Sequence, residues 1–501
     1  MKKAFFNPIA VGETLPPKNV HAVSVSMPTI SDVIGYEEFD EDTLKVIKSG
    51  YPRFILHPYL KKLSSFIKEK YKISNIYEVV LLSSKKAVDL VSDKYYIYNK
   101  IEIDEPFGVI LVQNGTTQLQ KVLSYIQHVG CNLSSRLAEE YLFNEGLIDT
   151  LHKEELEDKE VSEKIVKETL ANAYKQPLEN IELTPSGMNA IYSVVRGLNS
   201  IQAHNGRDTL IQFGWLYLDT MNIVNHHFQR QKVFPDISNL DLLEEYLKDY
   251  GLRVTAIITE VPTNPLLKCV DIKRLRSLCD KYNIPLVIDS TFATPYNLDL
   301  TDYADIFVES LTKFASGNAD VLMGAIILNK KHRLSHMNKE FFGHCEKVFI
   351  KDIQRMAFEI KNYEKRVKII SSNTKKLVDY LKTCPYIKNL YYCLDEKNKV
   401  NYSQTMIDDN SYVGIVSVTF NKPLKETYDK LNFAKGPSLG TEFTLLMPYT
   451  YLAHYDLIKT KKGKKFLENI ELPVDLIRIS VGTEPIEKII EEFENIKINN
   501  I

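Results

Sequence analysis

Apolar residues recur along the middle of this chain in two alternating rhythms. From Leu240 to Tyr250 the apolar positions Leu240, Leu243, Tyr246 and Leu247 predict a helix that stops at Gly251. Val254 to Thr259 is a β-branched run of strand length. Asp271 caps a second helix, with Ile272, Leu275, Leu278 and Tyr282 along one stripe. Ile284 to Ile288 and Ile306 to Val308 are further apolar strands. Alternation of helices with strands that are apolar throughout predicts a parallel sheet covered on both faces. Ligands of such sheets sit beyond the carboxyl ends of the strands, where Glu260, Asn264, Asp289 and Lys313 all fall.

The flanks have different rhythms. Residues 1–75 have scattered prolines and few periodic stretches, and are expected to form an arm. Residues 76–150 carry their own signals in Val79 to Leu82, Gly108 to Val112 and a helix across Gln118 to Val129, which predicts an inserted α/β module. Leu151 to Ala173 is highly charged and reads as a solvated helix at the start of the large domain, 151–345. Helical spacing across Ile350 to Leu381, a strand from Gly414 to Phe420 and a last helix after Pro485 predict a C-terminal α+β domain, 346–501. No repeat is evident.

Composition narrows the class. The chain has 501 residues, 44% hydrophobic and 26% charged, as expected of a globular protein of two or three domains. A formal net charge of −2 gives no reason to expect nucleic-acid or anionic-membrane partners. Met1 to Phe6 begins like a targeting leader, but Asn7-Pro8 interrupts it, and no window approaches the roughly 18 to 20 apolar residues that cross a bilayer. Six scattered cysteines without a CxxC pair suggest free thiols in a reducing cytoplasm. Eleven histidines form no HExxH set, so no metal is expected.

The candidate chemistry begins with Lys313 in Ser310-Leu311-Thr312-Lys313, 24 residues after Asp289 at the end of an apolar strand. Pyridoxal phosphate (PLP) chemistry needs this pair. A lysine forms a Schiff base with the aldehyde, and an aspartate keeps the pyridine nitrogen protonated, so that the ring accepts carbanion charge. Thr184-Pro-Ser-Gly187-Met188 opens an apolar-periodic helix whose N-terminal N–H groups suit a phosphate, although in isolation it reads as an ordinary Ser-capped helix. Ser310 and Thr312 share one side of an extended segment and could add hydroxyl donors. Tyr217 could stack on a flat ring, though a core aromatic is the commoner role. Arg478, a charge inside the apolar run Leu476 to Val481, suits either a substrate carboxylate or a buried ion pair.

These residues resemble the PLP-dependent enzymes of cysteine and methionine transsulfuration, and most of all the fungal-type cystathionine γ-synthases. The matching stretches are Glu260-Val-Pro-Thr-Asn264-Pro, Val287-Ile-Asp289-Ser-Thr-Phe-Ala-Thr-Pro295, Ser310-Leu-Thr-Lys313 and Arg478-Ile-Ser-Val-Gly482. Asn132-Leu-Ser-Ser-Arg-Leu-Ala-Glu in the insert and Gly436-Pro-Ser-Leu-Gly-Thr441 extend the likeness to roughly residues 9–492. The resemblance implies an aminotransferase-like (fold type I) α/β architecture and a homotetramer built from dimers with shared sites. It implies PLP contacts from Gly187, Met188, Ser310 and Thr312 to the phosphate, from Asp289 to the ring nitrogen and from Asn264 to the ring hydroxyl. Tyr217 would cover the ring and either act as a base or only stack. Tyr51 and Arg53 would reach the partner's phosphate, and Ser438 with Arg478 would hold the substrate carboxylate.

The implied reaction is γ-replacement of an O-acylhomoserine by cysteine to give cystathionine, with Lys313 moving the protons. Lyase-type elimination, O-acylhomoserine sulfhydrylation and a PLP-binding protein without turnover are the alternatives. Three stretches depart from the family pattern. Tyr-Gly-Gly becomes Tyr217-Leu-Asp, Gly-His-Ser after the lysine becomes Gly317-Asn-Ala, and the acid of the Ser438 loop is displaced to Glu442.

Overall fold

The computed structural model describes residues 5–49, 55–103 and 105–498. Its centre is a seven-stranded sheet in the order Ile181–Thr184, Gly324–Leu328, Ile306–Ser310, Leu286–Asp289, Val254–Glu260, Thr209–Phe213, Arg230–Phe234. The five strands from Ile306–Ser310 to Arg230–Phe234 run parallel. Gly324–Leu328 runs antiparallel to both of its neighbours, so the sheet is mixed where the sequence predicts only parallel strands.

Alternate residues of these strands feed two cores. Ile257, Ile288, Phe307 and Ile327 face a cluster containing Leu243, Leu275, Met356 and Ile360. Ile258, Val287, Val308 and Ile326 face Ala190, Val194, Leu198 and Ile223. Burial on both faces accounts for the continuous apolar runs. It also leaves only the strand ends for polar groups.

The helix Leu240–Tyr250 and the Asp271-capped helix Ile272–Lys281 form where the apolar spacing places them. The charged stretch differs from its expectation, because the helix begins only at Lys159 behind its Asp158 cap. Residues 151–158 are irregular, and Glu154 is drawn inward by Arg136.

The N-terminal segment is more ordered than its composition suggests. It forms a short Thr14–Leu15/Ser24–Val25 ladder and helices Ile30–Glu37, Glu41–Val46 and Pro58–Lys70. Local capping explains two of these helices. Thr29 and Asp32 cap each other's backbone N–H groups, and Pro58 occupies the first turn of its helix. Leu60, Leu63 and Ile67 share a cluster with Leu137, Ala138 and Leu142 of the following segment. That segment folds as the antiparallel sheet Tyr77–Leu82, Gly108–Gln113, Lys100–Ile101 with helices Lys85–Tyr95, Thr117–Val129 and Ser135–Asn144. Its residues Val122, Ile126 and Val129 pack on the Gly187–Ala203 helix. C-terminally, Ile387–Tyr391, Ile415–Phe420, Ile477–Ser480, Leu445–Pro448 and Ala434–Lys435 form a five-stranded sheet. Helices Tyr363–Leu381 and Ile486–Ile498 cover it through Leu377, Val378, Ile489 and Phe493. Among the described residues no helix is long and apolar enough to cross a membrane.

One buried ionic cluster ties these parts together. Arg136 donates Nε and Nη2 to Glu154, each at 2.7 Å, and Nη1 to Asp352 at 3.0 Å. Removing one partner of such a cluster leaves the others charged and desolvated, which costs about 3–5 kcal/mol. Arg136→Met should therefore lower the unfolding free energy by that order, read as a lower denaturant midpoint at an unchanged m-value. A midpoint equal to wild type would show that Glu154 and Asp352 do not depend on it.

Candidate active site

The carboxyl ends of the central strands open into a cleft of about 1260 Å³, partly open to solvent. Gly187, Met188, Tyr217, Asn264, Asp289, Ser310, Thr312, Lys313, Ser438 and Arg478 all line it. Tyr51 and Arg53 lie outside the described residues.

Register places two acids side by side, since Asp289 and Glu260 are paired residues on adjacent parallel strands. Asp289 accepts the Thr291 N–H at 3.0 Å, and burial raises its carboxyl above the usual range despite that bond. Glu260 accepts the N–H of Tyr217 at 2.6 Å and of Asn264 at 3.4 Å. Burial first, then the nearby Asp289, pushes it up to about 8. Glu309, one strand further, accepts the hydroxyls of Tyr174 and Tyr363 at 2.6 Å each, and burial pushes it up to about 7.

At the opposite end the Gly187–Ala203 helix points its N-terminus into the cleft, and its Ser186 cap accepts the Asn189 N–H at 3.1 Å. Gly187 is required there, because a Cβ on it would lie 2.8 Å from the Ser310 Cβ. Helix start and Ser310 thus meet in one small cradle. Thr312 donates its hydroxyl to the Met323 carbonyl at 3.3 Å and accepts the Met323 N–H at 3.0 Å, which fixes the turn leading to Lys313.

Lys313 is 9% exposed and donates Nζ to Ser438 Oγ at 3.0 Å. Ser438 has φ +88°, an uncommon conformation for a serine, and Gly440 backs directly on Lys313. Arg478 enters from the C-terminal sheet. It donates to Asn264 Oδ1 at 3.1 Å and to the Ser438 carbonyl at 2.8 Å, with Met447 Sδ at 3.1 Å. Its guanidinium lies over the Tyr449 ring, 5.4 Å from the centroid. Sequence leaves two readings open for Arg478, and the structure holds it against Asn264, Ser438 and Met447 at the cleft. Sequence reading missed Tyr36, Met447 and Tyr449, which line the same cleft with no motif to mark them.

Residues 159–496 match the family model for Cys/Met metabolism PLP-dependent enzymes. The chain belongs to that family. It is accordingly a PLP-dependent enzyme of the transferase or lyase kind. It is 35% identical over 486 residues to an L-2-amino-4-chloropent-4-enoate dechlorinase/desaturase of Streptantibioticus cattleyicolor, covering 96% of each chain. It is also 28% identical to a cystathionine γ-synthase of Neurospora crassa, covering 97% of each. The cystathionine γ-synthase structure from Xanthomonas oryzae pv. oryzae, in complex with aminoacrylate and cysteine, superposes with a TM-score of 0.56 at 16% identity. It covers 66% of this chain and 83% of that one, which shows the shared aminotransferase-like (fold type I) fold.

The cleft fits the cofactor of this family by its own chemistry. Among the described residues, Asp289 receives hydrogen bonds only from Thr291, and it sits where a pyridinium would compensate its buried charge. The helix start at Gly187 with Ser310 suits the phosphate. Lys313 lines the cleft with both groups.

The raised Glu260 carboxyl carries a pH signature. Its folded value of about 8 lies above the ordinary 4.5, so the folded protein holds the extra proton through that window. Stability is then lost as pH rises through the window. In cofactor-free protein, the melting temperature should fall further between about pH 6 and 8 in wild type than in Glu260→Gln. Parallel pH curves for the two proteins would rule the shift out.

Proposed function

We propose that this enzyme acts on an α-amino acid bearing a leaving group on Cγ, in the manner of a cystathionine γ-synthase. An O-acylhomoserine would lose its acyloxy group from Cγ as the free carboxylate, and the sulfur of cysteine, giving up its thiol proton, would take that place to give cystathionine. The observation that carries this reading is the convergence of Lys313, Asp289 and Arg478 on one cleft from three separate stretches of sequence. The cystathionine γ-synthase relatives support it.

In this reading Arg478, oriented by Asn264 and Ser438, holds the substrate α-carboxylate. Bound PLP supplies an electron sink for charge developing at Cα. Lys313 would take the Cα proton, hand it on and, neutral again, take a Cβ proton, so that electrons are available to expel the group on Cγ. Its contact with Ser438 Oγ at 3.0 Å gives the amine a defined position between the cofactor end and the carboxylate end of the cleft. Gly187, Met188, Ser310 and Thr312 serve the phosphate, Asn264 the ring hydroxyl, and Tyr217 the ring face. Tyr51 and Arg53 would complete a partner's site in a cytoplasmic homotetramer built from dimers.

Elimination is the second reading, and one observation favours it. The 35%-identical relative is named for an amino acid whose chloride sits on C4, the γ carbon. The test is to incubate the holoenzyme with O-acetyl- and O-succinylhomoserine, with and without cysteine, and follow products by mass spectrometry. Cystathionine formed only with both partners supports replacement. 2-Oxobutanoate formed without cysteine supports elimination, and no product from any of these substrates sinks both readings for O-acylhomoserines. Lys313→Ala should reduce the turnover found by at least about 10²–10⁴-fold, the usual worth of a positioned acid–base group. Wild-type-like turnover in that variant would remove Lys313 from the chemistry.

A further inference from the structure

The turn that carries Lys313 is held by one buried side chain. Arg366, near the start of the Tyr363–Leu381 helix, is 2% exposed. Its Nη1 donates to the Phe314 carbonyl at 3.1 Å and to the Ala315 carbonyl at 2.9 Å, the two that follow Lys313. Its Nη2 donates to the Glu359 carbonyl at 3.1 Å, at the end of the Ile350–Ile360 helix, and its Nε donates to Glu442 at 3.0 Å. Gly317 makes room for this side chain, since its φ is +76° and a Cβ on it would lie 2.6 Å from the Arg366 Cζ.

Glu442 belongs to the loop of Ser438, whose hydroxyl receives Lys313 Nζ. The same residue donates its N–H to the Gly317 carbonyl at 2.7 Å. Gly440 of that loop lies so close to the turn that a Cβ on it would be 2.6 Å from the Phe314 nitrogen. The other side of the loop is anchored to the segment that carries Arg478. Gly440 N–H donates to Ser480 Oγ at 2.8 Å, and the Glu442 carbonyl accepts the Thr483 N–H at 2.8 Å. The loop therefore stays with Arg478, and Arg366 and Gly317 hold the Lys313 turn against it. A guanidinium presents its donors in a rigid plane, so it fixes the direction of the turn as well as its distance.

We propose that Arg366 is a positioning residue for the reaction: with Glu442 it sets Lys313 Nζ against the substrate held by Arg478. The proposal rests on the reading above of Lys313 as the group that moves the Cα proton.

L-Norleucine has no leaving group on Cγ, so it separates this proton transfer from γ chemistry. In deuterium oxide, NMR follows exchange of its α proton by the holoenzyme, and the visible absorbance of the bound cofactor gives its Kd. Arg366→Lys keeps the charge but cannot span both carbonyls and Glu442. It should slow the exchange roughly 10²-fold, the usual cost of a small misplacement, and leave Kd at the wild-type value because Arg478, Asn264 and Ser438 keep their places. Glu442→Ala retains the main-chain tie to Gly317 and should slow the exchange roughly tenfold. Because Glu442 acts through Arg366, the double variant should be no slower than Arg366→Lys alone.

A folded Arg366→Lys protein that exchanges at the wild-type rate overturns the proposal. So does one that loses binding in parallel with exchange, which marks a structural role alone. Where that variant does not fold, wild-type exchange in Glu442→Ala overturns it. Absence of exchange in the wild-type holoenzyme overturns it as well, whichever substrates are consumed. If exchange follows the expected pattern but no O-acylhomoserine is consumed, the γ-position reading fails while the positioning role stands.

Discussion

The site is organised around the burial of negative charge. Strands covered on both faces can carry polar groups only at their ends, and here Asp289 and Glu260 end adjacent strands in register. Two carboxyl groups so placed cannot both ionise easily, and burial raises both, with Glu260 raised further by Asp289. The pair is complementary to a cation arriving from the cleft. Glu260 uses its position a second way. Accepting the N–H groups of Tyr217 and Asn264, it fixes the backbone of two residues proposed to meet the cofactor. An acid at this strand end therefore sets the electrostatics and the local geometry together.

The parts outside the central sheet hold this end in shape. The N-terminal segment runs between the loop that follows Lys313 and the loop that carries Ser438. Val23 N–H donates to the Ala319 carbonyl at 2.7 Å, and Asn19 donates to Asp320 at 2.8 Å. Ser24 donates its hydroxyl to the Pro437 carbonyl at 2.6 Å, and Met27 N–H donates to Lys435 at 2.8 Å. The Lys313–Ser438 contact thus spans two loops stapled by a third segment. The insert supports the other end of the cleft. Asn189, just inside the Gly187–Ala203 helix, donates its side-chain amide to the Val129 carbonyl at 3.0 Å. Its side-chain oxygen accepts the Glu346 N–H at 2.9 Å, so the start of that helix is braced from two segments.

What was legible in the sequence was local. Asp289, Asn264 and Lys313 each follow a short apolar strand, and a strand end with a polar residue is visible without knowing what packs against it. The helices over 240–250 and 272–281 were legible for the same reason, because their stripes and caps lie within a dozen residues. The 151–158 stretch was not. Its acids look solvated until Arg136, from the inserted segment, is brought against Glu154. Likewise Tyr36, Met447 and Tyr449 carry no motif. They reach the cleft only because an N-terminal helix and a C-terminal strand with its following helix converge there. Composition also misled over the first 70 residues, whose helices depend on caps such as Thr29–Asp32 rather than on long periodicity.

The departures from the family pattern acquire a physical sense from these contacts. In place of the expected histidine and serine after the lysine, Asn318 donates its amide to Glu359 at 2.6 Å and Ala319 offers its carbonyl to the N-terminal segment. The displaced acid, Glu442, is held by Arg366, which also donates to the carbonyls of Phe314 and Ala315 immediately after Lys313. Groups that could have faced a substrate are used to brace the Lys313 turn.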